Sequence, residues 1–291
     1  MLRLRETARW AGRLATLSMT ETVSHGEEKE NSHGRDAGIA VVAAMEREVA
    51  PLIRSWKVRE IECDGRRYRL FENGAAENSG AVVICGGMGA EAARRATEAV
   101  IQVARPMRVL SAGFAGALDP NLKIGDVVQP RAIVNAADGV RTDVGSGEGT
   151  LVSYAAVASK EQKERLAKAY AAAAVDMEAA AAAQGAQARG VEFAALKAIS
   201  DDADFSMPPV ERFFSNDGQF RSTAFALYVA VRPWLWRRTM ALARNSARAS
   251  RALCDAIIHY LQSERANLSD HGALADPPKH SPGGAPSVPV S

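Results

Sequence analysis

Through the middle of the chain, short unbroken apolar blocks alternate with stretches of helical period. Ala37-Gly-Ile-Ala-Val-Val-Ala-Ala44 reads as a strand buried on both faces, and Met45 to Arg54 as the start of a helix. Gly80 to Cys85 repeats the block, Gly86-Gly-Met-Gly89 turns it, and Ala90 to Val103 has helical spacing. Met107 to Ala112 is another block, ending in Gly113-Phe-Ala-Gly116. Lys160 to Ala173 reads as a helix and Val152 to Ala156 as a candidate strand. An alanine-rich helix from Asp176 to about Arg189 leads into the apolar run Val191 to Ile199. Tyr68 to Glu72 and Gly125 to Val134 instead alternate with period two. Strand–helix alternation predicts an α/β fold with three layers, α/β/α, around a central mixed sheet, and the period-two runs predict partly barrel-like curvature.

The ends differ in kind. Residues 1–36 carry Arg3, Arg5, Arg9 and Arg13 and then a polar stretch. They read as a disordered or weakly helical extension, either a basic amphipathic helix over 2–17 or an over-long start with Met19 as the alternative. Residues 263–291, rich in Pro, Gly, Ser and Asp, read as a disordered tail. One domain is expected over 37–262.

Composition narrows the chemistry. A net charge of +2 argues against a nucleic-acid partner. No apolar run approaches the roughly eighteen residues of a membrane span, and no signal-type apolar region follows the arginines. Cys63, Cys85 and Cys254 have no metal-like spacing and fit free thiols in a reducing cytoplasm. His25, His33, His271 and His280 lie in the ends, and only His259 lies near the folded region. A Ser-His-Asp triad, a Cys-His pair or a histidine zinc site therefore has almost no material. Neither a metal nor a cofactor is expected, and acid–base chemistry falls to carboxylates, lysine or tyrosine.

Carboxylates stand where an α/β sheet would use them. Glu178 opens the alanine-rich helix and Asp201 ends the following strand, on the rim where such sheets bind ligands. Glu46 and Glu48 follow the first strand, where acids also complement a helix dipole. The glycines of Gly86-Gly-Met-Gly-Ala-Glu-Ala92 let backbone approach a sugar or phosphate at a helix N-terminus. A dinucleotide fingerprint there is discounted, because residues 99–118 contain no acid to bind ribose. Taken singly, Met177 fits core packing and Asp201 a loop acid.

Val175-Asp-Met-Glu-Ala and Ala198-Ile-Ser-Asp-Asp-Ala-Asp204 resemble the signatures of the nucleoside phosphorylase/nucleosidase superfamily, especially the 5′-methylthioadenosine/S-adenosylhomocysteine nucleosidases. That resemblance implies roles. Glu48 would activate the water that attacks C1′, Glu178 would accept the ribose hydroxyls, and Met177 would pack under the sugar. Asp201, beside Ser200, would sit near purine N7, kept protonated by burial and by neighbouring acids. Gly87 and Gly89 would lie beside ribose and water or phosphate, and Lys197 takes a place where an arginine often reaches toward either. Gly86 and Ala92 lack the hydroxyl many relatives carry there, which weakens a phosphate cradle. Phe114 and Tyr154 are the candidates for stacking on the base. Relatives of this type imply a homo-oligomer.

The C-terminal part is basic. Gly218 to Cys254 holds seven arginines and no acid, with Pro233-Trp-Leu-Trp-Arg-Arg238 inside it. Residues 232–251 read either as a helix docking its Trp/Leu face on the core or as a peripheral membrane contact. Pro208 to Arg251, with Val152 to Lys160, resembles the hopanoid-associated phosphorylases of the same superfamily. The expected function is cleavage of the N-glycosidic bond of an adenine nucleoside (methylthioadenosine, S-adenosylhomocysteine or a lipid-linked adenosine) by water. Phosphorolysis and a non-catalytic nucleoside-binding protein on the same fold are the alternatives.

Overall fold

The computed structural model describes residues 38–73, 80–205, 228 and 233–273. The extension at 1–36 and residues 274–291 of the tail lie outside the described residues. In chain order the elements are β1 (Ile39–Ala43), α1 (Glu46–Ile53), β2 (Lys57–Cys63), β3 (Arg66–Glu72), β4 (Ala81–Cys85) and α2 (Ala90–Ala104). There follow β5 (Arg108–Ala117), β6 (Val127–Val128), β7 (Ala132–Asn135), β8 (Arg141–Asp143), β9 (Thr150–Ser153) and α3 (Lys160–Tyr170). Last come β10 (Ala174–Asp176), α4 (Ala179–Gln187), β11 (Glu192–Asp201) and α5 (Pro233–Ala273).

The strands form one mixed sheet in the order β2-β3-β4-β1-β5-β10-β9-β7-β8, with β11 on β5 and β6 on β11. Both faces are covered, which is why β1 and β4 are apolar at successive positions. Ala40 and Val42 of β1 enter a core with α2 and α4. Ile39, Val41 and Ala43 enter the opposite core with α1 and α5. A smaller cluster joins Leu166 of α3 to Val134, Val152 and Val175. The expected three-layer α/β/α fold is the one observed.

One feature of the sheet positions everything that follows. β5 keeps β11 as a parallel neighbour from Arg108 to Gly116. On its other edge it pairs with β1 only as far as Ser111, and then with antiparallel β10 at Gly116 and Ala117. The sheet forks over Ala112–Ala115, leaving a wedge between the C-terminal ends of β1 and β10.

Several boundaries differ from those expected. Ala174–Asp176 is a strand, so α4 begins at Ala179 with Glu178 just before it. The run from Gly125 to Val134 splits into β6 and β7 around Pro130, which has no N–H for a ladder. α3 stops at Tyr170 because Ala171 takes a left-handed φ of 48°. β2 joins β3 through Asp64-Gly65, both at positive φ (49° and 71°), as a two-residue hairpin turn requires. α5 continues past Gln262 to Ala273, so residues 263–273 of the expected disordered tail are helical. No helix among the described residues is long and apolar enough to cross a membrane.

Candidate active site

The wedge opens into a cavity of about 660 Å³, lined by Glu48 and Arg47 of α1, Met177, Glu178 and Asp201. Met88, Phe114, Ala156 to Ala158, Lys163 and Ser200 also reach it, and Leu242, Ala243, Ser246 and Ala247 of α5 form a far wall. Glu48, Glu178 and Asp201, from three separate parts of the chain, thus meet at one opening, with Asp176 of β10 beside them.

Glu48 is placed by the fork itself. Phe114, in the stretch of β5 that has lost β1 and not yet gained β10, donates its N–H to Glu48 Oε1 at 3.4 Å. Ala44 and Met45 donate to Oε2 at 3.1 and 3.0 Å. The carboxylate is a substitute strand partner for backbone left unpaired at the fork. Burial raises its pKa, opposed by the Met45 amide, by Lys197 and Arg47, and by the Phe114 amide.

Glu178 Oε1 accepts from the Gly89 amide at 2.8 Å, and Oε2 from Met177 at 3.2 Å. Burial, with the nearby charge of Asp176 second, raises its pKa to about 7. The N-terminus of α2, a natural anion site, is therefore occupied by a side-chain carboxylate. Gly86 needs its missing side chain for another reason. A Cβ there would lie 2.5 Å from Ala96 Cβ, so the glycine lets α2 sit against the sheet.

Two expectations about this region need correcting. Gly87 and Gly89 do not line the large cavity; Met88 between them does. Lys197 does not reach toward it either. It is 1% exposed, and its ammonium lies 2.9 Å from Asp176 Oδ2 and 3.1 Å from Ser111 Oγ. Burial works to lower its pKa, but Asp176, Glu178 and Glu48 together leave it raised. A strand residue whose neighbours all face the core is directed inward, toward an acid that is also buried. Gly87, Ser111, Gly113, Glu178 and Lys197 instead surround a cavity of about 10 Å³, room for roughly one water.

Asp201 differs most from expectation. A register shift between Ile199 and Asp201 makes Ser200 an extra residue against β5, and such bulges re-aim side chains. Ser200 donates its hydroxyl to Asp201 Oδ1 at 2.8 Å. Oδ2 accepts from Lys163 Nζ at 2.5 Å. The acids expected to keep Asp201 protonated are elsewhere. Asp202 is exposed and Asp204 pairs with Lys160 at the surface, 2.7 Å apart. The residue that faces Asp201 is a buried lysine, Lys163, which is not among the expected site residues. Its trace was there: Lys163 shares one helix face with Leu166, Ala167 and Tyr170, a lysine in an apolar stripe.

Of the stacking candidates, Phe114 lines the cavity and Tyr154 does not. Tyr154 packs beside α3, where its hydroxyl accepts from Gln162 Nε2 at 3.0 Å. In the basic segment, Arg251 donates back to Ala247 O at 3.2 Å. Arg221 and Arg232 lie outside the described residues, as do the side chains of Trp234, Trp236, Arg237 and Arg238. Among the described residues no group of His, Cys, Asp and Glu is arranged to hold a metal ion.

This three-layer fold, with acids gathered at a forked sheet, is that of a known class. The family model of the phosphorylase superfamily matches residues 38–160 and 148–230, and the chain belongs to that superfamily. The 5′-methylthioadenosine/S-adenosylhomocysteine nucleosidase of Staphylococcus carnosus is 34% identical over 90 residues, 31% of this chain and 39% of that enzyme. The chain thus aligns with well under half the length of that relative. Among solved structures, futalosine hydrolase of Helicobacter pylori has a TM-score of 0.60 at 22% identity, covering 80% of this chain and all of that one. The Neisseria meningitidis 5′-methylthioadenosine/S-adenosylhomocysteine nucleosidase in complex with methylthio-immucillin-A has a TM-score of 0.58 at 21% identity, covering 77% and 98%. These two likenesses are in fold.

Proposed function

We propose that this chain cleaves the N-glycosidic bond of an adenine nucleoside, using water as the nucleophile. The observation that carries the reading is the meeting of Glu48, Glu178 and Asp201 on one cavity wall. Cleavage builds positive charge on the sugar and negative charge on the departing purine. Glu178 accepts the ribose hydroxyls, Met177 packs under the sugar, and Glu48 takes the proton of the attacking water. Asp201 serves the base at N7. Water is favoured over phosphate because the α2 N-terminus is filled by Glu178 and the charge of Lys197 is spent on Asp176.

With the base at Asp201 and the ribose at Glu178, the space left over runs between α1 and α5. Its walls are Ala50, Pro51, Leu242, Ala243 and Ala247, with Arg47 and Arg251 on the same two helices and Arg54 at the end of α1. The apolar part of that lining supports an apolar 5′-substituent, as in methylthioadenosine or a lipid-linked adenosine. Phosphorolysis is the second reading, favoured by Arg47 and Arg251 at the same cavity. The test is adenine release from methylthioadenosine, adenosine and a lipid-linked adenosine, with and without phosphate. Equal rates in both conditions are expected, and release only with phosphate would replace hydrolysis by phosphorolysis.

A further inference from the structure

Lys163 and Asp201 form a buried pair that the chemistry above does not yet use. Lys163 is 3% exposed and Asp201 5%, yet both line the cavity. The lysine comes from the start of α3, which is pinned by a capping box. Ser159 Oγ accepts from the Gln162 amide, and Gln162 Oε1 accepts from the Ser159 amide. Lys163 Nζ donates to Asp201 Oδ2 at 2.5 Å and to Asp202 O at 2.6 Å. An ammonium has three N–H donors, and the third has no partner among the described residues. The backbone leaves room for the pair and little more. A Cβ on Gly116 would lie 2.8 Å from Asp201 Oδ2 and 3.1 Å from Lys163 Cε. Burying a lysine is costly unless it is matched, and a turn acid without a task needs no such partner.

We propose that Lys163 is the proton source for the departing base, acting through Asp201, so that the pair and not the lone carboxyl group serves the purine. This rests on the N-glycosidic reading above. As the C1′–N9 bond breaks, its electron pair passes to the purine. An ammonium proton of Lys163 passes to Asp201 Oδ2 and from that oxygen on to N7, so that Asp201 ends as the carboxylate it began as and the purine leaves neutral. The water oxygen bonds to C1′ and its proton goes to Glu48. Lys163 is left as an amine, and solvent returns its proton as Glu48 gives one up. Lys163 is thus a positioning residue that holds the proton Asp201 hands on.

The experiment compares two leaving groups on purified full-length chain. Adenosine needs a proton on its base, whereas 4-nitrophenyl riboside releases a phenolate that needs none. For Lys163→Met, adenine release is expected to fall about 100-fold, with nitrophenol release within about threefold of wild type. Parallel loss of both would show a structural role and overturn the proposal, and so would unchanged adenine release. Lys163→Arg guards against misfolding, since it keeps the charge and fills the site. A guanidinium does not give up its proton, so this variant should also lose adenine release while keeping nitrophenol release. Wild-type adenine release from Lys163→Arg would overturn the proton role. A wild type that releases base from no nucleoside would overturn the functional reading itself, and this inference with it.

Discussion

Lys197 Nζ lies 2.9 Å from Asp176 Oδ2, and neither side chain has more than a few per cent of its surface in contact with solvent. Asp176 is fully engaged. Ser153 Oγ donates to Oδ1 at 2.5 Å and the Ala179 amide to Oδ2 at 2.9 Å. The pair ties β11 to the end of β10, two residues before Glu178, and so fixes Glu178 relative to Asp201. Breaking one partner leaves a buried charge uncompensated. Lys197→Met should cost about 3–5 kcal/mol, and Lys197→Met with Asp176→Asn should cost less than that single change. Denaturant midpoints measure both, and a double variant no better than the single would refute the pairing.

Glu178 should give the protein a pH-dependent stability. Its pKa is raised to about 7 from an ordinary 4.5. The associated stability is therefore whole below about pH 4.5 and is lost as the pH rises through about 7. Glu178→Gln does not ionise and escapes that loss. Its melting temperature relative to wild type should climb between about pH 5 and pH 8. A difference that stays flat with pH would remove Glu178 as the cause.

Glu48→Gln keeps one acceptor for the three amides but cannot take a proton from water. Turnover should drop by about 10²–10⁴-fold with little change in KM. Steady-state kinetics on adenosine provide the check. A loss confined to KM would mean that Glu48 binds the substrate without activating water.

Gly116→Ala places a methyl group against both Asp201 and Lys163. Overpacking of this kind costs about 1–3 kcal/mol. Because the added atom displaces the pair, adenine release should suffer beyond the loss of stability. The comparison is activity at a temperature where both proteins are fully folded by circular dichroism.

Much of this was legible in the chain. β1, β4, β5 and β11 announce themselves as unbroken apolar blocks because both faces of each are covered. Glu48, Glu178 and Asp201 were placed by the strand ends they follow. What escaped had physical reasons. β2 is an edge strand whose pattern is mostly charged, with only Ile61 buried. β10 has three residues, too few for a period to show, and its Asp176 looks like a helix acid. Lys163 is hard to read from the chain because its partner lies 38 residues away on another element. Lys197 was seen, but the direction of its side chain depends on an acid that only the folded sheet brings near.

The wall that α5 contributes gives a handle on substrate size. Ala243→Trp, at a lining position, should slow adenine release from a lipid-linked adenosine about tenfold, roughly 1.4 kcal/mol of binding. Release from adenosine itself should stay within about twofold. Equal slowing of both would place the 5′-substituent elsewhere.

The fork in the sheet has a further consequence for how the protein can fail. β5 holds one half of the sheet through β1 and the other through β10, so the two halves meet along a single seam. Outer strands such as β2 or β8 can fray without moving Glu48 or Glu178. Parting the seam separates those residues and opens both cores at once. The placing of the carboxylates and the integrity of the two cores therefore depend on the same few strand pairings.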